Sequence, residues 1–600
     1  MLAFLTAPSG AQSDRPAAWR GAKWYGRTGG GLALVALCLA AFLPGFFRLP
    51  TIDRDEARFA QASRQMLEAV LLTPAERDPA LHAGGLVVPM VQDTPRLNKP
   101  PLIYWAQAAS AAVLTGFEPM RDAIWMYRVP SLLAAVGTVL LTWRLGCRMF
   151  GPRVGILAAG MLAACPIFVW EARQARADHL LVCVTTLAML LLWTTLRTRS
   201  RGWAAAFWLA VGLGVLTKGP ITPMVALLAV AALALAGRTW RPLSGIRPIW
   251  GVFLAVLVVA PWVLAVATHV GFGEYVAIIH DETLGRSVSA KEGHSGPPGY
   301  HLLLVLALLW PGTLLLGYGV VRPWLRAKRA AKGPGWLSRT AATLRALVYD
   351  RPAEAFLLAW IVPSWIVFEL VSTKLPHYTM PLYPALALLA ARAMPPVVRG
   401  SAAIVRRGWF RALAWLWALF GVGVIVAAGG IGIALAAHDD RVAAASAAAA
   451  ILAIAFAVPG VSMLLAIRRR RYLAAQVAAV AGAVMAWWAM IGVGLPGASV
   501  VDLSPRIAAA LRAADETAAV GLVGYHEDSL IFATRGRAQR LADDQWRTWA
   551  ASNPGALLVV QHDRLAAPPE GYPTERGFNY SRGKPVAVSI VPARDADRLR

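Results

Sequence analysis

Apolar residues run along this chain in long blocks set apart by short polar loops. Thirteen such blocks mark hydrophobic spans: 31–47, 126–147, 154–172, 179–196, 203–217, 220–237, 249–269, 301–321, 354–372, 377–394, 412–436, 443–467 and 474–495. Each lies near the ~20 residues that carry a helix across a bilayer. Helices are the economical solution, because a segment in lipid must satisfy its own backbone groups. The pattern therefore predicts a mainly α, polytopic membrane protein with about 13 transmembrane helices. Residues 496–600 break the pattern. They offer strand segments at Ala518–Val523, Ala556–Val560 and Val586–Val591 and a helical period at Ser504–Ala514, which predicts a small α/β domain.

Composition agrees with the blocks. Charged residues make up 15% of the 600, against about 25% in an ordinary soluble chain. The four Cys (Cys38, Cys147, Cys165, Cys183) all fall in apolar runs, so a secreted disulfide scaffold is excluded.

The net charge of +26 orients the chain. One alternating set of loops, together with residues 1–30 and Arg144, holds 30 of the 59 Lys and Arg but only two of the 33 acids, Asp14 and Asp350. This is the positive-inside pattern, not a nucleic-acid footprint, since the basic residues sit on separate short loops. The apolar run 100–116 would invert every later loop if it crossed, so it is placed outside as a juxtamembrane or re-entrant helix. Arg15, Arg20, Lys23 and Arg27 precede a short apolar run with no small-x-small cleavage site, which predicts an uncleaved anchor. The resulting organisation is a cytoplasmic tail (1–30), a transmembrane region (31–495) with a large first external loop (48–125), and an extracytoplasmic segment (496–600). Ala/Arg-rich usage and the anchor point to a bacterial inner membrane.

The informative charges lie on the external side. Asp53, Asp55, Glu56 and Arg58 follow the first span; a carboxylate there can orient or deprotonate an acceptor or hold a cation. An equal reading makes Asp55 the N-cap of a helix over Glu56–Ala69. Lys99 precedes Pro100-Pro101 at a helix start, a seat for phosphate; the other reading is an interfacial anchor with Tyr104 and Trp105 in the aromatic belt. Asp178 heads a span after Glu171, Arg173 and Arg176. Lys218 sits at an outer turn, and Lys374 precedes His377 and Tyr378 at another. Residues 280–301 carry Arg286 and three His (His280, His294, His301) whose spacing matches no standard metal set. Acids and bases thus recur at one membrane face. Lipid-phosphate chemistry needs such a face. No Walker loop, GxGxxG after a strand, or GxSxG is present.

These stretches resemble the GT-C glycosyltransferases of the lipid A aminoarabinose transferase and protein O-mannosyltransferase type. The resembling runs are Asp55 to Ala60, Lys99 to Trp105, Arg128-Val129-Pro130-Ser131, Arg173 to Asp178, Thr217-Lys218-Gly219-Pro220 and Lys374 to Tyr378, in the family's order. The resemblance implies inverting transfer from a polyprenyl-phosphate sugar to a lipid, glycan or protein acceptor on the periplasmic face. By position, Asp55 resembles the catalytic first-loop carboxylate and Asp178 the second-loop acid. Lys99 is similar to the residue that holds the lipid phosphate, with Arg286 as helper and Lys218 and Lys374 as further phosphate-binding candidates. Asp53, Glu56, Arg58, Tyr104 and Tyr378 are the supporting residues. Asn98 stands where the aminoarabinose enzymes tend to have an acid implicated in metal binding, so the metal and the sugar stay open; a divalent cation is compatible with the site but not required. A lipid or glycan transporter, or an envelope assembly protein, is the alternative. Transport would leave ionisable residues along the spans, and Glu369 is one of the few.

Overall fold

The computed structural model describes residues 27–52, 54–281, 296–437, 457–498, 501–565, 569, 571–579 and 582–599. Asp53, Arg286, residues 1–26 and most of the 443–467 span lie outside the described residues.

The described chain is mainly helical. Among the described residues seven helices are long and apolar enough to cross a membrane: Ile124–Phe150, Asp178–Thr198, Pro248–Val270, Pro352–Leu370, Met380–Val398, Gly408–Ile431 and Tyr472–Gly494. The chain is a multi-pass membrane protein. Burial grades these helices by position. The apolar stretch of Met380–Val398 is 83% buried inside the protein and that of Pro248–Val270 only 17%. The first is a central helix, and the second turns its apolar surface outward, as a lipid-facing helix does.

Other apolar blocks form shorter helices for local reasons. The 154–172 block is two helices, Pro152–Ala164 and Pro166–Glu171, because Cys165 is held extended ahead of a proline that has no N–H to give. The 301–321 block likewise divides into Tyr300–Leu308 and Leu316–Ala330 around Pro311 and Gly312. Ile221–Gly237 stops at 17 residues.

The short loop between Ile124–Phe150 and Pro152–Ala164 folds the two helices tightly together. A Cβ added to Gly146 would lie 2.6 Å from the Gly155 Cα, so the backbones meet where neither residue has a side chain.

Two buried arginines fix the ends of the bundle. Arg128 donates from Nε and Nη2 to the two carboxylate oxygens of Glu56, at 2.8 and 3.0 Å, and to the carbonyls of Phe46, Leu49 and Pro50. Glu56 also accepts from the backbone N–H of Ile52 and of Ala175. Arg173 donates to the carbonyls of Pro44, Ala41 and Val169. The start of the first loop is thereby tied to two later turns.

The 100–116 run forms the helix Leu102–Leu114. Its 13 residues extend about 20 Å at 1.5 Å each, short of the ~30 Å hydrocarbon core. It packs against Asp55–Leu71 and Ile124–Phe150. The first loop also holds a two-stranded hairpin, β1 (Met90–Val91) with β2 (Thr94–Pro95).

At the C-terminus a five-stranded sheet has the order β4-β3-β5-β7-β6, with β3 Val520–Val523, β4 Ala538–Leu541, β5 Leu557–Gln561, β6 Thr574–Asn579 and β7 Lys584–Pro592. β3 pairs parallel with β4 and β5, while β7 runs antiparallel to β5 and β6. Alternation along the strands sorts two cores. Leu522, Val559, Val588 and Ile590 meet Ile507 and Leu511 of the helix Leu503–Ala514 on one face. Leu558, Val560 and Val591 meet Trp546 on the other. The three strand segments read from the sequence overlap β3, β5 and β7, the first two beginning one or two residues early. β4 (AQRL) and β6 (TERGFN) are too polar to stand out.

Candidate active site

The Asp55–Leu71 helix begins at Asp55 itself. Arg54 before it has φ 61, and no side chain caps the helix. The cap reading of Asp55 is therefore not realised. Its half-exposed carboxylate faces the Arg96 guanidinium, with Oδ1 3.4 Å from Nη2. Arg96 is fixed in turn: its Nε donates to the Tyr104 hydroxyl at 3.1 Å, and its guanidinium lies 4.9 Å from the Phe59 ring centre. Phe59 stacks on Tyr104 at 5.1 Å. Tyr104 is fully buried, so it supports Arg96 and is closed to a ligand.

A second carboxylate lies nearby. The Lys218 ammonium, at the end of Arg201–Lys218, donates to Asp178 Oδ1 at 2.6 Å. His377 Nε2 is 3.6 Å from the same oxygen, and Lys218 lies 5.8 Å from the centre of the Tyr378 ring. Arg176 approaches Glu171 at 3.5 Å, and its charge acts on Asp178 and Asp55 alike. Burial pushes the Asp55 carboxyl up, but Arg176, Arg96, Lys99 and Lys218 outweigh it and hold it down at about 2. Asp55 is thus a fixed anion at any physiological pH. Four cations (Arg96, Lys99, Arg176, Lys218) face three carboxylates (Asp55, Glu171, Asp178) at one polar cluster. Such an excess suits a phosphate, and the exposed Asp55 beside it suits a polar co-substrate.

The structure brings together Asp55, Lys99, Asp178, Lys218, Tyr104 and Tyr378. Other candidates stand elsewhere. Glu56 is buried and committed to Arg128, so it supports the site from behind. Arg58 is committed to Asp528, its Nε 2.8 Å from Oδ2. Lys374 lies against Gly296, and its charge acts on His301, which pairs with Glu369; it is not among the charges that act most on Asp55 or Asp178. Asp53 and Arg286 lie outside the described residues. Sequence reasoning gave no role to Arg96, Arg176 or His377. Arg96 precedes Lys99 by three positions, but no local pattern marks it.

Among the described residues no three His, Cys, Asp or Glu converge on one point, and position 98 is a neutral Asn.

The helical bundle, the first loop and the C-terminal sheet together make a fold shared with a solved bacterial membrane protein. The crystal structure of ArnT from Cupriavidus metallidurans bound to undecaprenyl phosphate matches it with a TM-score of 0.66, covering 94% of this chain and 98% of that one at 20% identity. A family model described as dolichyl-phosphate-mannose-protein mannosyltransferase matches residues 98–264. Two undecaprenyl phosphate-alpha-4-amino-4-deoxy-L-arabinose arabinosyl transferases are similar in sequence. That of Pseudomonas paraeruginosa is 28% identical over 387 residues, and that of Edwardsiella ictaluri 27% over 344. The matches cover 62% and 56% of this chain but only 62% and 54% of those relatives' lengths.

Proposed function

We propose that this protein is an inverting membrane glycosyltransferase that moves a sugar from a polyprenyl-phosphate donor to a lipid acceptor of the lipid A type. The observation that carries the reading is the half-exposed, permanently ionised Asp55 beside a cluster with more cations than carboxylates. The arabinosyl transferase names of its relatives support the donor class. Lys99 and Lys218, with Arg176, hold the donor phosphate. Asp178 orients Lys218, and Asp55 orients or activates the acceptor. The acceptor oxygen bonds to the anomeric carbon as the bond to the phosphate oxygen breaks. The electron pair goes to the phosphate, where the cations stabilise it. Where the acceptor is a hydroxyl, Asp55 orients it by accepting its hydrogen bond, and the proton passes to the departing phosphate, the stronger base.

The reading includes a bacterial inner-membrane location and thirteen spans, the remaining apolar blocks apart from Leu102–Leu114 crossing alongside the seven long helices. It places residues 1–30 in the cytoplasm and the first loop, the site and residues 496–600 in the periplasm. The positive-inside pattern supports this orientation.

Mass spectrometry of envelope lipids and glycans tests the reading, in a deletion strain complemented with wild type or Asp55→Asn. The transferase reading expects one glycosylated species to vanish in both the deletion and the variant, with the polyprenyl-phosphate sugar accumulating. Full restoration by Asp55→Asn moves a transport or assembly role ahead.

A further inference from the structure

The C-terminal sheet does not simply rest on the bundle. Arg535, in the turn between the helix Asp528–Ala533 and β4, donates from Nη1 to Asp122 at 2.6 Å and from Nη2 to Glu68 and the Pro119 carbonyl. The Asp122 side chain is fully buried, and it also accepts from Arg64 at 2.7 Å and from the Tyr127 hydroxyl at 2.6 Å. One carboxylate thus ties the C-terminal unit to the helix that starts at Asp55 and to the base of Ile124–Phe150. Arg64 also lies 3.7 Å from the Phe532 ring centre.

The same turn grips the hairpin. Gln92, between β1 and β2, donates to the carbonyls of Gly536 and Ala538 at 3.0 and 2.7 Å. Its own backbone exchanges hydrogen bonds with Gln65 on the Asp55–Leu71 helix. Four residues after Gln92 comes Arg96. A further tie, Arg58 to Asp528 to Arg540, runs one turn from Asp55. Arg535 holds a left-handed backbone, φ 57, which an L residue keeps only where its surroundings fix it. A Cβ on the adjacent Gly536 would stand 2.9 Å from Gln61 Nε2, so the turn is pressed onto the helix.

We infer that residues 528–540 are a positioning element for the candidate site: Arg535 and its neighbours lock the helix carrying Asp55 against the hairpin carrying Arg96, and so set the spacing of that pair. The inference rests on the transferase reading for its consequence in rate, and on geometry alone for its consequence in rigidity. Catalytic geometry held by supporting bonds loosens when they are cut, and small displacements cost rate rather than affinity.

The test uses the purified full chain and the variants Arg535→Met, Arg535→Lys and Asp528→Asn, with a polyprenyl-phosphate aminoarabinose donor and lipid A. Arg535→Met is expected to lower kcat by about tenfold or more with donor KM nearly unchanged. It should also move the acid limb of the rate upward, because Arg96 withdraws from Asp55 while Arg176, Lys99 and Lys218 remain. Arg535→Lys keeps the charge but reaches only one of the two carboxylates, so it should recover part of the loss. Amide exchange is read on the same samples. Faster exchange in residues 55–71 and 90–96 of Arg535→Met is expected whether or not the wild type transfers sugar. Unchanged exchange in both segments overturns the inference. So does a kcat loss that tracks only the folded fraction, with the acid limb unmoved. If Arg535→Met does not fold, Asp528→Asn carries the same readouts with the same outcomes. A wild type without transferase activity sinks the function reading and leaves the exchange result to decide the positioning.

Discussion

The Lys218 ammonium and the Asp178 carboxylate meet at 2.6 Å, joining the end of one apolar helix to the start of another. Both side chains are largely buried. Removing Lys218 takes away the nearest partner of Asp178 and leaves it to Arg176 and His377, so Lys218→Met should destabilise the protein by about 1–3 kcal/mol. The double variant Lys218→Met/Asp178→Asn should be more stable than Lys218→Met alone. Thermal unfolding in detergent, arranged as a double-mutant cycle, measures the coupling. Independent, additive losses would mean that the pair is not coupled.

Asp55 should give the reaction an acid limb far below neutrality. Its carboxyl is held at about 2, below the ordinary value of about 3.9. The charged form is therefore complete above that ordinary range and is lost only as pH falls towards 2. Any stability from its pairing follows the same window. Rate measured from pH 3 to 8 should show no limb from Asp55 between 4 and 6; the buried Glu171 carboxyl, pushed up to about 7, titrates above that window. Arg96→Met removes one of the four cations and should bring the limb upward. A wild-type limb near pH 5 would contradict the assignment.

Glu56 and Arg128 form a buried, bidentate pair. Glu56→Gln keeps the shape but leaves the guanidinium charge unopposed. A loss of about 3–5 kcal/mol is expected, seen as a lower Tm and poorer yield. Arg128→Lys should be no milder, because an ammonium cannot replace a fork that reaches five acceptors.

The helix crossing at Gly146 and Gly155 tolerates no side chain. An added Cβ at Gly155 would lie 2.7 Å from the Trp143 carbonyl oxygen. Gly155→Val should cost about 1–3 kcal/mol or prevent folding. Gly160→Ala on the same helix, where the nearest atom would be 3.8 Å away, should be neutral. Equal thermal stability of the two variants would show that the helices separate easily.

Much of this architecture is written locally. Hydropathy blocks mark the apolar helices, and Asp55, Lys99, Asp178 and Lys218 stand out because a charge beside an apolar block is rare. What is not written locally is which charge meets which. Arg96 and Asp55 are 41 positions apart, and Arg535 and Asp122 are 413. No periodicity encodes either pairing. Lys374 has the same local setting as Lys99, a Lys ahead of an outer helix, yet lies beside His301 and Glu369. The breaks at Pro166 and Pro311 could have been read, since each proline stands inside an apolar block. Hydropathy outweighed them because it sums over a window and ignores a single missing N–H.

The helix Leu102–Leu114 leaves Val113 69% and Leu114 43% exposed, while Tyr104, Gln107 and Ala111 face inward. An apolar helix too short to cross and packed beside the polar cluster makes a greasy ledge next to it. On the proposed function, a donor with a long isoprenoid tail arrives by sliding within the sheet of lipids, with its tail never leaving oil. Turnover on such a ledge follows the donor's mole fraction in the bilayer. Diluting the membrane with inert lipid should slow the reaction at fixed bulk donor concentration, and adding buffer should not.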